Sequence, residues 1–223
     1  MKTTVSPPAF SNYRTIHHIS PKAALVDQSE SVNTIGMSKH FSLTNQFLIA
    51  MPALADPNFH GTVTYICEHN DQGAMGLVIN RPLNLTLGQV LVEIDITTGE
   101  QNIGKQTVYM GGPVQTERGF VLHHPLGEWD SMLRINDEIG VTTSKDILEN
   151  IAKGTGPQRM LVALGYAGWG AGQLEQELAD NVWLCGPADN RIIFDLPWQQ
   201  RWEAAAALMG VDLNQISNQI GHA

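Results

Sequence analysis

Cysteine is scarce in this chain: two residues in 223, Cys67 and Cys185, far apart and in no CxxC pair. That excludes a disulfide-stapled secreted scaffold and a cysteine-rich zinc module, and it fits a reducing cytoplasm. Long apolar runs are missing too. Nothing approaches the roughly 20 apolar residues a membrane helix needs, and the opening MKTTVSPPAFSNYRTIHHIS has no apolar core of signal-peptide type. Basic clusters are absent. The 13 Lys and Arg stand against 22 Asp and Glu, a formal net charge of −9, which repels a phosphate backbone and disfavours direct nucleic-acid binding. Catalytic spacings are missing as well: there is no GxSxG elbow and no phosphate-loop consensus, and Ser144 and Lys145 are adjacent, so on a helix they diverge. No polar linker divides the chain.

What is present is a core. Hydrophobic residues make up 43% and charged residues 16%, enough to bury one domain of this length. Residues 1–36 mix Ser, Thr, Pro, Asn and His without periodicity and read as a disordered N-terminal extension, with Met37 as a possible start of the folded unit, 37–223. NQFLIAM, ended by Pro52, reads as a buried strand, and TVTYICEH and AMGLVIN read as a hairpin around the Asn70 to Gly73 turn. Thr86 with Gln89 three residues on is a capping box. It heads a helix with Leu87, Val90, Leu91 and Ile94 on one face.

Glu100 to Gln106 reads as a polar loop. TVYMGG, RGFVLHH, the region Met132 to Val141 and RMLVALGY read as strands; Thr143 or Ser144 caps a helix with Ile147, Leu148, Ile151 and Ala152 as its buried stripe. After Leu164, glycines at 165, 168, 170 and 172 read as a turn into a short helix; NVWLC and RIIFD read as strands, and Leu196 to Met209 as a last helix. The helices are scattered among hairpin-like strands, so the expected fold is α+β: a single domain with a curved, mainly antiparallel, barrel-like sheet and packed helices.

The segments FLIAMPALADPNF, VTYICEHNDQGAMGLVINRP, GGPV, RGFVLHHP, TTSKDIL, LGYAGWGAGQLEQEL and NVWL stand in an order that resembles the YqgE/AlgH family of bacterial proteins, from about Phe47 to the C-terminus. The resemblance implies one α+β domain with a barrel-like sheet. It implies no established activity, cofactor or substrate, and through the AlgH name it implies a regulatory, transcription-related role.

Each chemically suggestive residue has two readings. The glycines at 165, 168, 170 and 172 could present N–H donors to an anion or simply form a tight turn; Glu175 and Glu177 in the following helix oppose an anion. Cys67 and His69, two apart on a strand, could share a metal or act as thiolate and base. Two ligands are too few for zinc, so no metal and no cofactor are expected. Asn80, Arg81, Gly111, Gly112, Arg118 and His123 supply turns and polar groups at strand ends, where loops form clefts. Trp169, between two glycines, could fold inward or stand out as a binding platform, with Gln173 beside it; Trp183, Trp198 and Trp202 read as core. His69, Asn80, Arg81, Gly111, Gly112, Arg118, His123, Trp169 and Gln173 are therefore the candidate binding surface. The expected function is a non-enzymatic cytoplasmic regulator or adaptor acting on a protein partner or small ligand. The alternative is a ligand-binding protein or enzyme using a strand-end cleft, with His69 or His123 as acid and base.

Overall fold

The capping box forms as its residues dictate. In the computed structural model, which describes residues 42–213, the Thr86 hydroxyl accepts from the Gln89 amide at 3.4 Å while the Gln89 side chain returns to the Thr86 N–H at 2.9 Å. The expected extension, 1–36, lies outside the described residues.

The chain order is β1 (Gln46–Ala50), β2 (Val63–Asn70), β3 (Gly73–Val78), β4 (Pro82–Thr86), α1 (Leu87–Glu93), α2 (Gln101–Gly104), β5 (Thr107–Met110) and β6 (Val114–His124). It continues with β7 (Met132–Arg134), β8 (Gly140–Thr142), α3 (Lys145–Ala152), β9 (Arg159–Gly170), α4 (Gln173–Ala179), β10 (Trp183–Pro187), α5 (Asn190–Phe194) and α6 (Trp198–Leu208). The strands make one curled half-barrel sheet in the order β10-β1-β2-β3-β9-β6-β8-β7, with β4 on β5 and β5 on β9. Every pairing is antiparallel except β5 with β9. The domain is α+β, as the order of sequence signals implied.

Four sequence expectations are corrected. The glycines at 165, 168 and 170 do not form a turn; they lie inside β9, which runs 12 residues. Gly165 has φ +71° and its would-be Cβ lies 2.4 Å from the Gly112 oxygen, so only glycine fits. At this kink β9 passes from β5 and β6 to pair with β3. RIIFD is helical, not a strand, because Asp189 caps it by accepting from the Arg191 N–H at 2.7 Å. The polar stretch before β5 contains the single turn α2. Ser144 stands at the start of α3 without a side-chain bond into the helix; it donates to Asp146 at 2.5 Å and accepts from the Ser131 N–H.

Apolar burial divides into three clusters around the sheet. One joins β1, β2, β3, β6 and β9 to α5 and α6 through Phe47, Tyr65, Leu122, Ile192 and Ala205. The second packs Leu87, Val90 and Leu91 of α1 and Ile147 and Ile151 of α3 on Val108, Val121 and Val162. The third holds Leu48, Ile66, Trp169 and Trp183 under Leu174 of α4. Each fully buried Leu or Ile contributes about 1.5–3 kcal/mol relative to exposure, so these faces, not the short helices' own propensities, hold α1 and α3 to α6 in place.

Candidate functional site

The candidate residues separate into three places. His69, Trp169 and Gln173 gather around α4. A bulge between Ile66 and Glu68 breaks the alternation of β2, so Cys67 enters the first cluster while His69 turns toward α4. Cys67 and His69 therefore do not share a face. Burial pushes the Cys67 thiol far up, and the Cys185 thiol up to about 11, so neither is a thiolate near neutrality.

The His69 ring bridges the chain. Its Nδ1 accepts from the Leu43 N–H at 3.0 Å, which leaves Nε2 to donate to Glu175 at 2.8 Å. The Glu175 carboxyl is held below its ordinary range, first by a hydrogen bond from its own backbone and further by His69.

Trp169 folds inward and is only 7% exposed. It stacks on Phe59 at 6.3 Å and meets Trp183 edge-on at 6.1 Å. Both indole N–H groups donate to one Glu177 oxygen, at 2.9 and 2.7 Å, and Gln173 donates to the other oxygen at 2.9 Å. Gln173 also accepts the Gly170 N–H at 3.1 Å, so this donor is taken up inside the protein.

His123 and Arg118 lie on β6, away from α4. His123 is fully buried, with Nδ1–H donating to the Pro125 carbonyl at 3.0 Å and Nε2 accepting from the Thr142 hydroxyl at 3.0 Å. Desolvation lowers its pKa against the smaller raising effect of Pro125. Arg118 reaches Gln115 and Thr143 at 3.3 Å and lies over the Phe120 ring. Gly111 and Gly112 are backbone crossings: Gly111 N–H donates to Leu164 at 2.7 Å, and a Cβ on Gly112 would stand 2.1 Å from the Tyr166 carbonyl carbon.

The third place is a groove. Asn80 is buried, accepting from Val63 N–H at 2.9 Å and donating to the Gly61 carbonyl at 2.9 Å. Arg81 donates to the Pro57 and His60 carbonyls at 2.6 and 2.9 Å, and desolvation lowers its pKa. Together they fix the corner between β3 and β4 against the loop that leads into β2 and the first residue of β2. The resulting groove of about 360 Å³ is lined by Gly61, Asn80, Arg81, Pro82, Leu83, Met110, Trp198, Gln199 and Trp202. Trp198, expected in the core, is 38% exposed at its edge; Trp202 is anchored by its N–H to the Ala50 carbonyl at 3.1 Å. Sequence reading missed this use of the tryptophans. Their spacing of four is the available signal, since it puts both on one side of α6.

Among the described residues no group of three His, Cys, Asp or Glu side chains is arranged to hold a metal, and no helix is long and apolar enough to cross a membrane. The architecture defines a class, that of single-domain α+β proteins with a curled half-barrel sheet. Comparison with known proteins gives the family. The profile described as AlgH-like matches residues 47–214, and a UPF0301 protein of Nitrosococcus oceani is 61% identical over 179 residues, 80% of this chain and 96% of that one. A UPF0301 protein of Thioalkalivibrio sulfidiphilus is 60% identical over 187 residues, 84% of this chain and all of that one. The solution structure of the AlgH protein from Pseudomonas aeruginosa matches with a TM-score of 0.69 at 52% identity, over 85% of this chain and 100% of that one. A Corynebacterium diphtheriae protein shares the fold at 20% identity, with a TM-score of 0.62 over 76% of this chain and 88% of its own. The chain belongs to the AlgH-like family.

Proposed function

We propose that this protein is a cytoplasmic regulatory adaptor that works by docking a segment of a protein partner in the groove between the β3–β4 corner and α6, without catalysing a reaction. The observation that carries this reading is Trp198, a large aromatic left 38% exposed at the edge of an apolar groove. Exposed tryptophans beside a formed pocket are the residues on which interface energy concentrates. Arg81 adds one cation to the rim, its guanidinium already fixed by two carbonyls. The favoured occupant is a short segment with an apolar anchor for the tryptophans and an acidic residue for Arg81.

Two residues that sequence reading considered for acid and base chemistry support the non-enzymatic side. His69 and His123 each engage both ring nitrogens in bonds that tie elements together. The test is a photo-crosslinking amino acid placed at exposed Gln199 in cells, with exposed Val92 on α1 as the control position. A discrete heavier product from position 199, lost when Trp198→Ser is added and absent from position 92, is expected. No product at 199, or the same products from both positions, refutes the reading.

A further inference from the structure

Arg201 is a buried cation that no carboxylate among the described residues pairs with. It lies in α6 and is 5% exposed. Its Nε–H donates to the Leu196 carbonyl at 3.0 Å, one Nη donates to the Ile79 carbonyl, and the guanidinium lies 5.1 Å from the centre of the Tyr109 ring. Among the described residues no ion pair includes it. Burying a charge without a counter-charge is costly, and the two carbonyls and Tyr109 offset only part of that cost, since burial still lowers the Arg201 pKa against the raising effect of Tyr109.

Arg201 forms part of the wall of a cleft of about 490 Å³, within the range of small-molecule sites. The cleft lies apart from the Trp198 groove in its lining, with α6 contributing to both. Its charged lining residues are Arg201, Arg159 and Asp195, so two cations face one carboxylate in a chain whose formal net charge is −9. Asp195 pairs with Arg159 at 3.2 Å, and both side chains are 43% exposed, so that pair is screened and easily exchanged. Ile151, Tyr109 and Phe194 give the cleft apolar surface.

We propose that this cleft binds a small organic anion, with a carboxylate or phosphate head set toward Arg201 and Arg159 and an apolar body along Ile151, Tyr109 and Phe194. The Arg159 guanidinium fork matches both heads in shape, and Arg201 adds its charge and the N–H groups that Leu196 and Ile79 leave over. Away from bulk water, its attraction for either is stronger than at the surface. The site is independent of the adaptor reading: it uses other residues and stands or falls separately.

The experiment titrates the full ¹⁵N-labelled chain with phenyl phosphate, benzoate and neutral benzyl alcohol at constant ionic strength, following amide and arginine side-chain resonances. Saturable shifts of the Gly154, Gly156 and Gln158 amides and of the Arg201 Nε–H are expected with at least one anion and not with benzyl alcohol. Whichever anion binds more tightly identifies the head. Arg159→Gln should weaken binding by about tenfold, the loss expected of one charge-assisted hydrogen bond. Asp195→Asn should tighten it, because it removes the competing carboxylate, and unfolding cannot produce that direction. Shifts that do not saturate, equal binding of benzyl alcohol, an unmoved Arg201 Nε–H, or an Asp195→Asn protein that binds more weakly each overturn the proposal.

Discussion

Truncating Trp169 to alanine should be among the costliest single changes in this protein. The ring is 7% exposed, stacks on Phe59 with a 29° interplanar angle and packs edge-on against Trp183 at 78°. Deleting a core aromatic of this kind costs about 3–5 kcal/mol. With an unfolding slope in urea of about 2 kcal/mol/M, the denaturation midpoint should fall by about 2 M. Trp169→Phe separates the contributions. It keeps the stack and removes the 2.9 Å bond to Glu177, so its cost should be about 1.5 kcal/mol, the lower end for a hydrogen bond to a charged acceptor. Equilibrium urea melts followed by far-ultraviolet circular dichroism measure both, since intrinsic fluorescence would itself change with the tryptophan removed. A Trp169→Ala protein within about 0.5 kcal/mol of the original, the range of an ordinary surface substitution, would refute the burial account and return Trp169 to the surface as a platform.

Three further outcomes follow from the same geometry. His123, held neutral by burial, has a folded-state pKa below its unfolded value near 6.5; its contribution is fully present above that pH and is lost as pH falls below it. The slope is bounded by about 1.4 kcal/mol per pH unit, and pH-dependent urea melts against His123→Asn, which lacks the titration, isolate it from the other histidines. Gly112→Ala should unfold the chain or lower its melting temperature severely, because the added Cβ would meet Tyr166 and Ala167 backbone at 2.1 to 2.3 Å; thermal melts read this directly. Thr86→Ala, which breaks the capping box of α1, should cost about 1 kcal/mol in a denaturant melt.

What the sequence made legible was whatever local chemistry decides. The Thr86 capping box, the hairpin at Asn70 to Gly73 and the apolar stripe of α3 appear where residue spacing put them. Long-range pairing was the weaker part. Gly165, Gly168 and Gly170 read locally as a turn, yet pairing with β6 up to the Gly165 kink and with β3 beyond it holds all three in one strand. RIIFD has strand-like composition, but the Asp189 cap and the packing of Ile192 and Ile193 into the first cluster make it helical. Among the candidate residues, Asn80 and Arg81 do adjoin a groove. His69 and His123 instead have polar partners far away in sequence, Glu175 for His69 and Thr142 for His123, which no local pattern reveals. Arg201 was overlooked because an arginine between Gln200 and Trp202 reads as a solvated position. Its spacing of four from buried Ala205 was the clue that it points inward.

The most direct test of the adaptor reading is quantitative affinity capture with three forms of the full chain, the original, Trp198→Ser and Val92→Ser, each first shown to be folded by its melting curve. The prediction is one partner protein retained by the original and by Val92→Ser, reduced at least about tenfold with Trp198→Ser as expected for loss of an interface anchor, and binding the purified original chain directly. The same retained proteins in the same amounts with all three forms would contradict it.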